Sequence, residues 1–220
     1  MKPGLRFEKD AWSAGYRRIA GVDEAGRGAW AGPVTAAAVI LPFRDPDIMK
    51  HLAGLRDSKL LSPRQREAIL PRILDVAVDV GISTVSVDHV VEDGIAAATR
   101  CAMMNAVDQL SPQPDHLLID WVKLPAWSGS QHNLRKGDQL SMSIAAASVV
   151  AKVYRDREMV RLSDIEKGYG FDVHKGYGTR AHRAALERIG VSHLHRLDWA
   201  PFREHSLETK EPVPVVRTIS

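Results

Sequence analysis

The chain has 220 residues, 45% of them hydrophobic and 26% charged, with 30 Lys and Arg against 27 Asp and Glu for a formal charge of +3. That length fits one domain of ordinary size with a substantial core, and no apolar run approaches the roughly eighteen residues of a membrane helix. The single cysteine, Cys101, excludes an intramolecular disulfide and a cysteine zinc cluster, and fits a reducing, cytoplasmic setting without membrane attachment.

The N-terminal MKPGLRFEKDAW carries two acids and no apolar stretch, so it does not read as a secretory signal. Arg18 to Val22 leads as a strand into GVDEAGRGAWAGPV, and the apolar run Val34 to Leu41 follows as its neighbour. Ser62-Pro63-Arg64-Gln65 is a capping box with proline at the first helical position. It opens a helix toward Val80 that Pro71 is expected to bend or split. Gly81 to Val87 has strand chemistry, and Asp88 to Leu110 is helical in pattern with a break at Asp93-Gly94. His116 to Asp120 and Gln131 to Asp138 read as strands ending in acids, the second after a Lys136-Gly137 turn, and SMSIAAASVVAKVYRDREMV is a helix whose small side chains allow close packing on a sheet. Beyond Leu162 two Gly-Tyr-Gly triplets flank a loop, Thr179 caps a helix closing at Gly190, and 206–220 reads as a loose tail. Strands alternating with helices, then a helical extension, give an α/β or α+β class. Between Ala151 and His205, 11 Lys and Arg face 8 Asp and Glu, enough for a basic face toward phosphates or for a solvated charged surface.

Three expected strands end at carboxylates: Asp23 with Glu24, Asp120, and Asp138. If those ends adjoin, the acids repel and raise one another's pKa unless a cation neutralises them. Oxygen-only ligands suit hard divalent ions such as Mg²⁺ or Mn²⁺, which in pairs support phosphodiester hydrolysis. Neighbours on a strand point to opposite faces, so Asp23 and Glu24 serve one site only if the chain turns at Ala25-Gly26. Gly26-Arg27-Gly28 brings backbone close to a ligand or simply makes a tight turn. The run Gly26 to Gly32 misses the dinucleotide fingerprint by one residue. His174, His182, His193 and His195 are expected to be solvated or phosphate-facing rather than zinc ligands.

GVDEAGRGAWAGPVTAAAVIL, DSKLLS, LLID, GDQLSMSIAAASVVAKVYRDR, HKGYGT and His195-Arg196 resemble, in order, the motifs of the ribonuclease HII family over roughly Ile19 to Phe202. The resemblance implies an RNase H-like α/β fold, a mixed five-stranded sheet flanked by helices. A catalytic core at 1–162, a C-terminal helical substrate-binding extension at 163–205 and the tail at 206–220 follow. It implies that Asp23, Glu24, Asp120 and Asp138 hold two Mg²⁺ or Mn²⁺ ions. Gly26, Arg27 and Gly28 would read a ribose 2′-hydroxyl, Tyr177 would stack on the adjoining sugar, and Lys59 and Arg196 would contact phosphates. The expected activity is hydrolysis 5′ to a ribonucleotide in RNA–DNA hybrids and in duplex DNA with embedded ribonucleotides, by a monomer. A branched-DNA nuclease of the same fold and a non-catalytic hybrid binder are the alternatives. Trp121 departs from the family's usual glycine, Ala29-Trp30 from its Pro-Leu, and Asp198 from its serine.

Overall fold

In the computed structural model, which describes residues 2–42, 44–199 and 202, five strands form one sheet in the order β3-β2-β1-β4-β5. β1 (Ile19–Ala25), β2 (Val34–Ile40) and β3 (Asp79–Val85) make an antiparallel meander, and β4 (His116–Asp120) and β5 (Ser130–Leu134) add in parallel beside β1. β2 lies buried along its whole length, which is why its sequence reads as a continuous apolar run rather than an alternation. Val34, Ala36, Ala38 and Ile40 meet helix α5 (Ile95–Asp108) on one face, and Ala37 and Val39 meet helix α6 (Met142–Ile165) on the other.

Small residues set the spacing of these layers. A Cβ on Gly21 would lie 2.1 Å from the Ser143 carbonyl carbon, so glycine lets the start of α6 lie directly on β1. The first turns of α6 are buried all round because they are covered by the sheet, helix α3 (Pro63–Val76) and helix α1 (Arg6–Ser13), and only the hydrogen-bonded Ser143 and Ser148 interrupt their apolar side chains. Its far end carries Met159 and Leu162 into a third cluster with Phe171 of α7 (Phe171–His174), Ala185 and Leu186 of α8 (Arg180–Ile189), and Phe202. One continuous helix therefore joins the sheet to the C-terminal layer. Between α3 and α5 the short α4 (Val87–Asp93) ends at Gly94, and α2 (Ile48–His51) precedes α3.

Several elements differ from the sequence expectation: α3 ends at Val76 rather than running toward Val80, so β3 begins at Asp79 and Val87 opens α4 instead of closing the strand. β1 continues through Asp23 and Glu24 to Ala25, because β2 pairs with each of them. β5 stops at Leu134, since Lys136 takes a left-handed conformation, φ 60°, and Asp138 then sits on a 3-10 turn, Gly137–Gln139. Pro71 stays inside an unbroken α3, its ring on the exposed side where water can satisfy the carbonyl that lacks its helical donor. The break at Gly94, the Ser62–Gln65 capping box and the Thr179 cap form as read. The tail at 206–220 lies outside the described residues. Among the described residues no helix is long and apolar enough to cross a membrane.

Candidate active site

β1 and β4 run parallel with Val22 opposite Ile119, so Asp23, where that pairing stops, and Asp120, the last residue of β4, emerge side by side. The Gly137 N–H donates to Asp120 Oδ1 at 2.7 Å, drawing the 3-10 turn toward β4. Asp23, Asp120 and Asp138 each offer an oxygen, and these three atoms lie within 4.8 Å of one another. Glu24, one residue along the strand, stands outside that trio, its Oε1 3.9 Å from an Arg27 guanidinium nitrogen and its Oε2 buried without a hydrogen-bond partner.

Burial first, then the neighbouring charges of Glu24 and Asp120, lifts Asp23 well above the usual carboxylate range. Burial also raises Glu24 and Asp120, and burial with the charges of Asp57 and Asp120 pushes Asp138 up to about 7. Burial pulls Lys59 down, yet Asp23, Asp138, Asp57 and Asp120 together hold it above its ordinary value. The cluster thus carries more negative charge than its surroundings neutralise, its donors are all oxygen, and one buried carboxylate oxygen lacks a partner. A hard divalent cation fits that donor set.

Asp57 is the residue that the sequence reading passed over. It is 4% exposed, accepts from the Lys59 N–H at 2.9 Å and from Gln139 Nε2 at 3.2 Å, and raises Asp138. Its signal was the Asp-Ser-Lys order, in which an acid caps the turn that presents the lysine. Ser148 Oγ bonds Ser58 Oγ at 2.8 Å and pins that turn to α6.

The Gly26–Gly28 loop rests on two buried guanidiniums. Arg155 donates to the carbonyls of Pro33 at 2.8 Å, Lys175 at 3.0 Å and Ala31 at 3.2 Å. Arg196 donates to Gly32 O at 2.7 Å and Arg27 O at 3.0 Å. Arg196 is 0% exposed, so the expected phosphate contact gives way to a support beneath the loop. Burial and the nearby Arg155 push it down to about 9. Gly26 has φ 91°, and a Cβ there would fall 1.8 Å from Arg155 Nε. A Cβ on Gly28 meets nothing within 4 Å, leaving that position open to an approaching ligand.

Trp30 and Ala31 donate to Gly176 O at 2.9 and 3.2 Å, tying the loop to the turn that carries Tyr177. Lys152 Nζ and the Arg155 guanidinium lie 5.1 and 5.3 Å from the Tyr177 ring centroid. A depression of about 520 Å³ is lined by Glu24, Gly26, Arg27, Gly28, Lys59 and Tyr177, among others. A second of about 410 Å³, also bordered by Lys59, holds Asp57, Asp120, Trp121, Arg135 and Asp138. His174, His182 and His195 are buried in one ring cluster, contrary to the solvated placement expected, because their ring nitrogens satisfy backbone groups and one another. His193 is exposed and pairs with Glu166 at 3.3 Å.

Residues 20–202 match the family model described as Ribonuclease HII. A ribonuclease HII of Geobacillus kaustophilus (strain HTA426) is 52% identical over 200 residues, covering 91% of this chain and 75% of the relative. One from Herpetosiphon aurantiacus is 47% identical over 201 residues, covering 91% of this chain and 97% of the relative. Among solved structures, the RNase HII of Archaeoglobus fulgidus in its PCNA complex superposes with a TM-score of 0.70 at 26% identity, covering 83% of this chain and 95% of that one. Bst-RNase HIII in complex with Mn²⁺ shares the fold at a TM-score of 0.63 and 23% identity, covering 88% of this chain and 70% of that one.

Proposed function

The chain belongs to the ribonuclease HII family, an endonuclease of RNA in RNA–DNA hybrids, and from that premise we propose that it cuts on the 5′ side of a ribonucleotide, leaving 3′-hydroxyl and 5′-phosphate ends. Duplex DNA with embedded ribonucleotides is the second substrate, and ribonucleotide excision the role, carried out by a cytoplasmic monomer. The observation that carries the reading is the juxtaposition of the Asp23, Asp120 and Asp138 oxygens with a depression lined by Gly26, Arg27, Gly28 and Tyr177.

Asp23, Glu24, Asp120 and Asp138 are the residues that would hold the metal. Bound there, Mg²⁺ or Mn²⁺ supplies charge neutralisation and Lewis-acid polarisation of the phosphodiester. The chain's own residues do the rest. Backbone at Gly28, with no side chain in the way, lets the minor-groove edge approach closely enough for a 2′-hydroxyl to be read, which separates RNA from DNA. Tyr177, held by the Gly176 contact to Trp30 and Ala31, packs against the next sugar. Lys59, kept protonated by the surrounding acids, sits between the two depressions and faces the phosphate in passage.

Cleavage of a labelled DNA duplex containing one ribonucleotide, beside an all-DNA control and a long hybrid, tests this with Mg²⁺, Mn²⁺ or chelator. The expected result is a metal-dependent cut immediately 5′ of the ribonucleotide with the control intact. Cleavage of the all-DNA duplex at the same rate would remove the 2′-hydroxyl sensor, and binding without any cleavage would leave a non-catalytic hybrid binder.

A further inference from the structure

Trp121 follows Asp120 directly and has φ 57°, a conformation that a bulky side chain adopts only under constraint. The Val122 N–H bonds Asp120 O at 2.6 Å across it, closing a three-residue turn of the strained, positive-φ kind. The Trp121 N–H donates to Leu134 O at 3.0 Å, so the turn is anchored to β5. A glycine would meet every one of these backbone requirements without strain. The indole is nevertheless 57% exposed and buries little in return. Arg135 holds its guanidinium 5.3 Å from the Trp121 ring centroid, and Lys136, also at positive φ, follows it. These groups line the depression that contains Asp120 and Asp138, while Gly26–Gly28 and Tyr177 line the other, with Lys59 common to both.

A strand read at the Gly26–Gly28 side must leave across the acids toward Trp121. We propose that Trp121 is a platform for the cleaved strand on the 5′ side of the scissile phosphate, its ring against a sugar and Arg135 toward the adjoining phosphate. This rests on the proposed hybrid-cleaving function. The strain at Trp121 is then retained at a functional surface, where such outliers concentrate, and the aromatic face with a neighbouring cation is the combination that grips a nucleic-acid strand with little regard to sequence.

Binding is measured by fluorescence anisotropy in chelator, so it is read independently of cleavage. The probes are one hybrid duplex and a series shortened nucleotide by nucleotide on the 5′ side of the cut. Trp121→Gly should weaken binding of the full duplex about tenfold, melt no lower than the wild type, and lose its disadvantage once the upstream nucleotides are removed. Trp121→Phe should recover most of the affinity. Arg135→Ala should lower the slope of log affinity against log salt by about one phosphate contact. Equal affinities for wild type and Trp121→Gly on the full duplex, or a deficit unchanged by shortening, would overturn the platform. Failure of the metal-supplemented wild type to cut any ribonucleotide-containing duplex, with this binding pattern intact, would instead refute the catalytic reading alone.

Discussion

The Asp138 carboxyl is pushed up to about 7 by burial and by Asp57 and Asp120, from an ordinary value near 3.8. Between those two values the folded chain binds a proton that the unfolded chain has released. Its contribution to stability is therefore fully present below about 3.8 and is lost as pH rises through about 7. Chelator-treated protein should accordingly melt at a lower temperature at pH 8 than at pH 5.5 as far as this group is concerned. Asp138→Asn cannot ionise, so its melting temperature should exceed that of the wild type at pH 8 in chelator, while cleavage is abolished. Adding Mg²⁺ or Mn²⁺ should raise the wild type and leave the variant nearly unmoved. A variant that melts lower than the wild type in chelator at pH 8 would mean that Asp138 stabilises the turn more than its charge strains it.

At the scale of elements, α6 supports the loop through one side chain. Arg155 leaves the helix fully buried and satisfies three carbonyls drawn from the loop after Gly26 and from the turn before Tyr177. Arg155→Ala strands the Lys175 and Ala31 carbonyls and leaves Pro33 O with Arg196 alone at 3.3 Å, and should cost about 2 kcal/mol or more, since each unpaired buried acceptor carries a penalty of about 1–3 kcal/mol. Gly26→Ala should fail for the matching reason, its new methyl displacing the same guanidinium. Thermal melts compared with cleavage of single-ribonucleotide and long-hybrid substrates check this, and an Arg155→Ala protein with unchanged melting would sink it. Such dependence shows where the sequence is legible. The apolar run of β2, the Ser62–Gln65 box and the Gly94 break are local patterns, and all three form as read. Helix α1 has no comparable signal. It is fixed by Glu8, whose carboxylate accepts from Ser141 Oγ at 2.6 Å and Ser143 N at 2.9 Å at the start of α6, far along the chain. Arg196 misled for the same reason, because an arginine in a basic segment looks like a surface contact until the carbonyls of Gly32 and Arg27 are seen around it. The Lys136-Gly137 turn was legible from its glycine, but that it ends β5 at Leu134 and sets Asp138 on a 3-10 turn rather than at a strand end leaves no pattern in hydrophobicity.

Over the whole molecule, the sheet and the C-terminal layer respond to acid with opposite sign. His174 Nδ1 accepts from the Gly176 N–H, and His195 Nδ1 accepts from the Ser192 N–H. His182 Nδ1 faces Tyr177 O at 3.1 Å and must donate to it, which leaves its Nε2 to accept from His195 Nε2 at 3.0 Å. The ring nitrogens of these three histidines are all matched only when the imidazoles are neutral. A proton added to His182 sets two N–H groups against each other beneath a stacked His174 ring 4.4 Å away. Burial, then the neighbouring histidines, lowers His182 and His195 to about 4 from an ordinary 6.5. For a base lowered in the folded state, the contribution to stability is intact above 6.5, declines as pH falls from 6.5 toward 4, and levels off below that. Asp138 moves the other way through an overlapping window, so a global melt would blur the two. The test has to be local: amide exchange of α8, corrected for intrinsic rates, should lose protection relative to β1 between pH 7 and pH 4.5. His195→Gln should flatten this response. Exchange of α8 that falls in step with β1 at every pH would show that the histidine chain does not control the docking of this layer.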